Sequence, residues 1–136
     1  MISAFVLAVC ERDLKPGMSS EGWNNMLRIY GESAIAAQLD AGHRYRLALA
    51  SGGPVGAAGL NAPGHLFLLY VHPDHRRAGI ARRLVEDLLD GMPEDVVATV
   101  NSALGAIAFY RSVGYREAGP PQARDGIEFQ PMRLAH

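Results

Sequence analysis

The stretch from Leu68 to Arg83, which overlaps "LYVHPDHRRAGIARRL" (residues 69–84), holds the residues whose types and spacing can do chemistry. An apolar strand ends there in His72-Pro73, a turn follows, and an amphipathic helix opens near Gly79. The first turn of a helix exposes backbone N–H groups with no intrahelical partner, and the macrodipole adds partial positive charge. Such an end binds phosphate. Gly79 lets backbone approach an anion, Ala78 and Ala81 keep the surroundings small, and Arg76, Arg77 and Arg82 add full charges beside those amides. The segment lacks the Lys-Ser/Thr ending of a nucleotide P-loop and the three-glycine dinucleotide fingerprint, which argues against nucleoside triphosphate and NAD. Taken alone, a strand–loop–helix with one glycine is often only packing, Arg82 and Arg83 are ordinary helix-face charges, and His72 and His75 are ordinary surface residues. Four arginines at one helix start, in a chain of formal net charge −1, favour the anion site.

The elements that position this segment read as follows. Ile2 to Val9, short and apolar, reads as a first strand. Trp23, Met26, Leu27 and Tyr30 fall at helical spacing behind an N-cap at Ser19 or Ser20. Gly31 interrupts, and Ser33 to Ala41 makes a second short helix closed by Gly42. "RYRLALA" alternates Tyr45, Leu47 and Leu49 against Arg44 and Arg46, as a strand with one wetter face. "VGAAGL" is a strand whose small residues permit close approach of another backbone, and "HLFLLYV", apolar on both faces, is a central strand. From Gly79 to Asp90, Ala81, Leu84, Val85, Leu88 and Leu89 form one stripe of the clearest helix. "DVVATV" is a strand, "SALGAIAFYRSVG" a helix ended by Gly114, and "YREAG" with "GIEFQPMRL" a final hairpin-like pair. The order is β-αα-βββ-α-β-α-ββ, without repeat or linker, so the chain 1–136 reads as one domain.

Composition agrees. With 49% apolar and 20% charged residues in 136, the chain is globular and large enough for a single core. The near-zero net charge argues against bulk binding to nucleic acid or membrane. Cys10 is the only cysteine, so no intramolecular disulfide forms; it is expected to be a small buried hydrophobe in a reducing compartment. The apolar start is too short to span a bilayer and lacks a basic leader region, so a cytoplasmic location is expected.

"VHPDHRRAGIA" resembles the central motif of the GNAT family, the Gcn5-related N-acetyltransferases: V-x-P, then Q/R-x-x-G-x-G/A, with Arg76, Gly79 and Ala81 on the defining positions. "GAIAFYRSVGYRE" is similar to the family's next helix, and the order of elements extends the likeness over nearly the whole chain. The resemblance implies an α/β (α+β) fold with a mixed sheet of about six or seven strands, helices on both faces, and an acyl-CoA cleft between splayed fourth and fifth strands. It implies an acetyl-CoA-dependent N-acetyltransferase, with acetyl-CoA as cosubstrate and no metal. The pantetheine arm would pair with the backbone of Leu69, Tyr70 and Val71, and the pyrophosphate would sit on amides from Arg77 through Ala78, Gly79, Ile80 and Ala81 to Arg82. Tyr110 occupies the family's tyrosine position; its phenol, with an ordinary pKa of about 10, can protonate a departing thiolate.

Two positions depart from the family pattern. Ala103 stands where many relatives carry a cofactor-contacting Asn, with Asn101 and Ser102 nearby but out of register, and Ala98 stands where some carry a glutamate base. The base is left open among water, His65, His72 and Tyr70. The expected partner is a small-molecule or peptide amine, contacted from Ser19–Ala41 (Trp23, Tyr30 and Glu32 among them), the central strand and the last hairpin. A homodimer stays open, and a non-catalytic CoA-sensing module is the alternative of a different class.

Overall fold

The computed structural model describes all residues except Met1, Leu14, Met18, Ala62, Arg77, Asp125 and His136; the side chains of Val9, Cys10, Arg12, Asp13 and Lys15 also lie outside the description. The expectation that Cys10 is buried, and the anion-site role of Arg77, therefore fall outside the described residues.

The chain begins with three helices, α1 (Ile2–Asp13), α2 (Ser20–Tyr30) and α3 (Glu32–Asp40). Three strands follow, β1 (Arg44–Ala50), β2 (Gly53–Asn61) and β3 (His65–Val71), and then α4 (Ile80–Asp90). The remainder is β4 (Thr99–Ala103), α5 (Ile107–Ser112), β5 (Tyr115–Glu117), β6 (Gln122–Arg124) and β7 (Ile127–Leu134). One seven-stranded sheet runs β1-β2-β3-β4-β7-β5, with β6 also on β7. Every pairing is antiparallel except β3 with β4.

Helices cover both faces, as expected, and β2 shows how. Ala57 turns to α1 and α2, beneath Val6, Phe5, Trp23 and Met26, while the next residue, Ala58, turns to the core under α4. Both alanines are fully buried, and their small side chains let a helix lie close on either side. The small residues of β2 therefore admit helices and rings as well as the backbone of the neighbouring strand. A Cβ on Gly56 would stand 3.1 Å from the Tyr70 carbonyl oxygen of β3 and 3.3 Å from Leu84 of α4, and one on Gly59 would stand 2.8 Å from the Phe67 ring. On α4, Leu84, Val85 and Leu88 are buried, each contributing about 1.5–3 kcal/mol by leaving water. Arg83 pairs with Asp87 one turn on, at the surface.

Three expectations change. Ile2–Val9 is a helix, not a strand: Ile2, Phe5 and Val6 lie at i, i+3, i+4 and pack together against β2, a spacing only a helix turns to one side. The strand read as "DVVATV" starts later, at Thr99, because Val96 N–H bonds back to Pro93 O and turns the chain first. It then runs to Ala103, so α5 is left with six residues behind a short 3₁₀ turn at Leu104–Ala106. The expected fourth and fifth strands are thus β3 and β4. Ser19 caps α2, its hydroxyl accepting from Gly22 N–H, and Gly31 separates α2 from α3.

Candidate active site

β3 and β4 lie side by side only at His65 with Thr99 and Leu66 with Val100. Beyond that point Leu68 to Val71 keep β2 on one edge and have lost β4 on the other. The strands part at a β-bulge. Leu68 faces Gly59 and Leu66 faces Leu60, so Phe67 is the extra residue on β3. This extra residue also brings Leu66 and Leu69, three apart, to the same core. A bulge bends its strand and frees backbone groups from the ladder, which opens a V here.

The V is a cleft of about 730 Å³. Leu69, Tyr70 and Val71 form one wall, and Gly105, Ala106 and Phe109 the other. His75, Arg76, Gly79, Ile80, Ala81 and Arg82 close its wide end. Of the residues expected from the sequence, all of these but His75 and the second wall were foreseen. Ala78 lines a second cavity of about 710 Å³ between α4 and the β1–β2 end, which shares Gly79, Ile80 and Arg82 with the first and carries Arg83, Glu86 and Asp87 on its rim.

The wide end is suited to an anion. Gly79 is the N-cap of α4 in the left-handed region (φ 79°), with no side-chain cap and no acidic residue in the first turn. A Cβ there would meet nothing within 4 Å among the described residues, and the positive φ is what calls for glycine. Arg76 closes the turn, its Nε donating to Val71 O (3.0 Å) with the guanidinium over the Tyr70 ring. Arg82 reaches across the cleft mouth and donates to Ser112 O at the end of α5 (2.9 Å), with Glu86 3.5 Å away. The apolar cleft leading to uncapped amides and two guanidiniums fits a pantetheine arm joined to a pyrophosphate.

Tyr110 sits behind the cleft wall, not on it. Only 8% exposed, it packs edge-to-face on Phe109 and on Tyr115, 5.6 Å between ring centres. Burial pushes its phenol above the ordinary value of 10, so it is protonated throughout the physiological range and can serve only as an acid. Ser102 is fully buried and donates to Ala103 O, so its hydroxyl is already used; Asn101 is exposed. Ala98, buried ahead of β4, accepts from Leu134 N–H. Trp23 and Tyr30 pack over Val6 and Ala57, and Glu32 opens α3 at the surface.

These features coincide with a known family. The family described as "Acetyltransferase (GNAT) domain" matches residues 14–136, and the chain belongs to it. Among curated relatives, the [ribosomal protein bS18]-alanine N-acetyltransferase of Escherichia coli (strain K12) is 41% identical over 58 residues, 39% of each chain. The peptidyl-lysine N-acetyltransferase YjaB of the same strain is 32% identical over 73 residues, 53% of this chain and 50% of that one. The matches thus span half or less of these relatives' length. Among solved structures, the paia N-acetyltransferase of Thermoplasma acidophilum, in complex with coenzyme A, superposes with a TM-score of 0.72 at 16% identity, covering 98% of this chain and 92% of that one. Among the described residues no helix is long and apolar enough to cross a membrane.

Proposed function

We propose that the chain transfers the acetyl group of acetyl-CoA to a primary amine, and that the amine belongs to a peptide or protein. The observation that carries the reading is the parting of β3 from β4 into a cleft that ends on the uncapped, arginine-flanked start of α4. The free backbone edge at Leu69–Val71 would take the pantetheine amides like an added strand. Amides of Gly79 to Arg82, with Arg76 and Arg82, would hold the pyrophosphate, and Arg77 adjoins them in sequence. The peptide or protein acceptor is supported by two relatives named for acting on a ribosomal protein's alanine and on peptidyl lysine. A single cysteine agrees with work in the reducing cytoplasm.

In the reaction the amine lone pair attacks the thioester carbonyl, a C–N bond forms, and the C–S bond breaks with its electron pair going to sulfur. A β3 amide near Leu69–Val71 would donate to the carbonyl oxygen as it gains charge. Tyr110 gives its proton to the sulfur, and the proton lost from nitrogen restores the phenol through solvent. Amine and thioester thus become amide and thiol. The test is acetyl transfer by purified protein across alanyl and lysyl peptides and small amines. Transfer to a subset supports the reading; tight CoA binding without transfer to any acceptor would replace it with the sensing module, to which Ala98 and Ala103 lend weight.

A further inference from the structure

The cleft has a direction, and it selects a base. Phosphate belongs at the α4 end, beside Val71, so the acyl end must point back along β3 toward the closed end of the V at Leu66 and Val100. Leu66, Val100 and Tyr110 all turn to the α4 side of the sheet. By strand alternation, His65 and Thr99 turn to the opposite side at that same closed end. Their side chains meet there, His65 Nδ1 lying 2.9 Å from Thr99 Oγ1.

Resting on the acetyltransferase reading, the geometry points to His65 as the general base that takes the proton from the acceptor amine, with Thr99 as the residue that orients it. With Nδ1–H donating to Thr99 Oγ1, the Nε2 lone pair is left to accept a proton. The acid and the base then stand on opposite sides of the gap, Tyr110 on the side of the departing sulfur and His65 on the side of the arriving nitrogen. Each needs its own place, because the attacking nitrogen and the departing sulfur occupy different corners of the tetrahedral intermediate. Nε2 takes one proton from the acceptor ammonium before attack, which frees the lone pair that forms the C–N bond, and passes it to solvent; the second nitrogen proton leaves to solvent as the amide forms.

The other candidates are placed less well. His72 lies at the far end of β3, seven residues and on the order of 20 Å away, and its Nδ1 already accepts from Asp74 N–H. The Tyr70 ring packs against Phe5 under the Arg76 guanidinium. Half-burial holds His65 below the ordinary 6.5, which keeps the ring neutral, as a base must be. On its face, Asn61 of β2 and Thr99 of β4 are uncharged, the nearest charges by register are Arg133 of β7 and then Arg116 of β5, and His43 meets Phe67 two residues along.

The experiment compares the wild-type chain with His65→Gln and Thr99→Val, using acetyl-CoA and an alanyl peptide whose α-amine has a pKa of roughly 7.7–8.0. Near neutral pH the amine is mostly protonated, and His65→Gln should lower kcat about 10²-fold with KM for acetyl-CoA unchanged. Thr99→Val should lower it several-fold. At a pH about one unit above the amine's own pKa the acceptor arrives neutral, so the gap should narrow. A purely structural histidine would lower the rate equally at every pH, or shift the melting temperature and the acetyl-CoA KM instead; either outcome overturns the assignment. So does a His65→Gln chain as fast as wild type. If the wild-type chain itself acetylates no amine, the acetyltransferase reading fails first, and the two failures are told apart.

Discussion

At the wide end of the cleft every group facing the anion comes from one run of chain, Leu69 to Arg82, on the end of β3, a turn and the start of α4. At the closed end Leu66, Val100, Tyr110 and Tyr115 come from four elements and meet only in the folded core. The wide end works through backbone amides and exposed guanidiniums, and a glycine held at φ 79° sets its shape. The closed end works through buried rings whose positions depend on packing across β3, β4, α5 and β5. Binding can therefore survive changes that abolish turnover, and the two ends can be broken separately.

The largest separation should come from Tyr110→Phe. If the hydroxyl serves only the departing thiolate, kcat should fall by about 10²–10⁴-fold while KM for acetyl-CoA stays almost constant, because the bond matters when sulfur gains charge. A thioester with a more acidic leaving group should partly rescue the variant. Steady-state kinetics at wild-type rate would remove Tyr110 from the mechanism.

The reverse pattern is expected at the wide end. Arg82→Ala should cost about 1–3 kcal/mol of CoA affinity if the guanidinium makes a charge-assisted bond to phosphate. It should also loosen α5, since Arg82 bonds Ser112 O. Gly79→Ala should strain the left-handed cap by about 1–2 kcal/mol, and Gly79→Val should in addition crowd the anion. Titration calorimetry with CoA checks all three, and unchanged affinity throughout would move the anion site elsewhere.

This contrast also decides what could be read from sequence. A contiguous site carries its own signature, so Arg76, Gly79, Ala81 and the strand before them were recognisable without a fold. Ala106 and Phe109 belong to the cleft only because β4 runs on to Ala103 and a 3₁₀ turn swings α5 beside β3. The bulge at Phe67 left no mark in a strand apolar on both faces. The α1 segment reads as a strand because a short apolar run with Ile and Val suits a strand as well as a helix; only its Ile2, Phe5, Val6 spacing points to the helix.

Between the two ends stands the bulge, and Gly59 tests it. A Cβ there would lie 2.8 Å from the Phe67 ring and 3.1 Å from Tyr45. Phe67 cannot easily yield, being held edge-on by both His43 and Tyr45, whose hydroxyl donates to Gln38 Oε1. Gly59→Ala should therefore cost about 1–3 kcal/mol of stability. By moving the point where β3 leaves β4, it should also lower kcat more than CoA affinity. A variant as stable and active as wild type would mean that the bulge tolerates a shifted Phe67.

The smallest effect, and the one of opposite sign, is expected at Tyr115. The residue has no exposed surface, yet its hydroxyl has no hydrogen-bond partner among the described residues. Burial, and then the neighbouring Tyr110, push its phenol well above the ordinary range, so it stays neutral. A buried hydroxyl without a partner costs about 1–3 kcal/mol, whereas the ring itself packs against Tyr110 and the core. Tyr115→Phe keeps the ring and removes the cost, less the small void left by one oxygen. The variant should be more stable by about 1 kcal/mol, raising the melting temperature by roughly 3–5 °C. Its acetylation rate reports on the closed end at the same time. An unchanged kcat with a higher melting point would show that Tyr110 is positioned by ring packing alone. A lower melting point would instead mean that a buried water bonds the Tyr115 hydroxyl in solution.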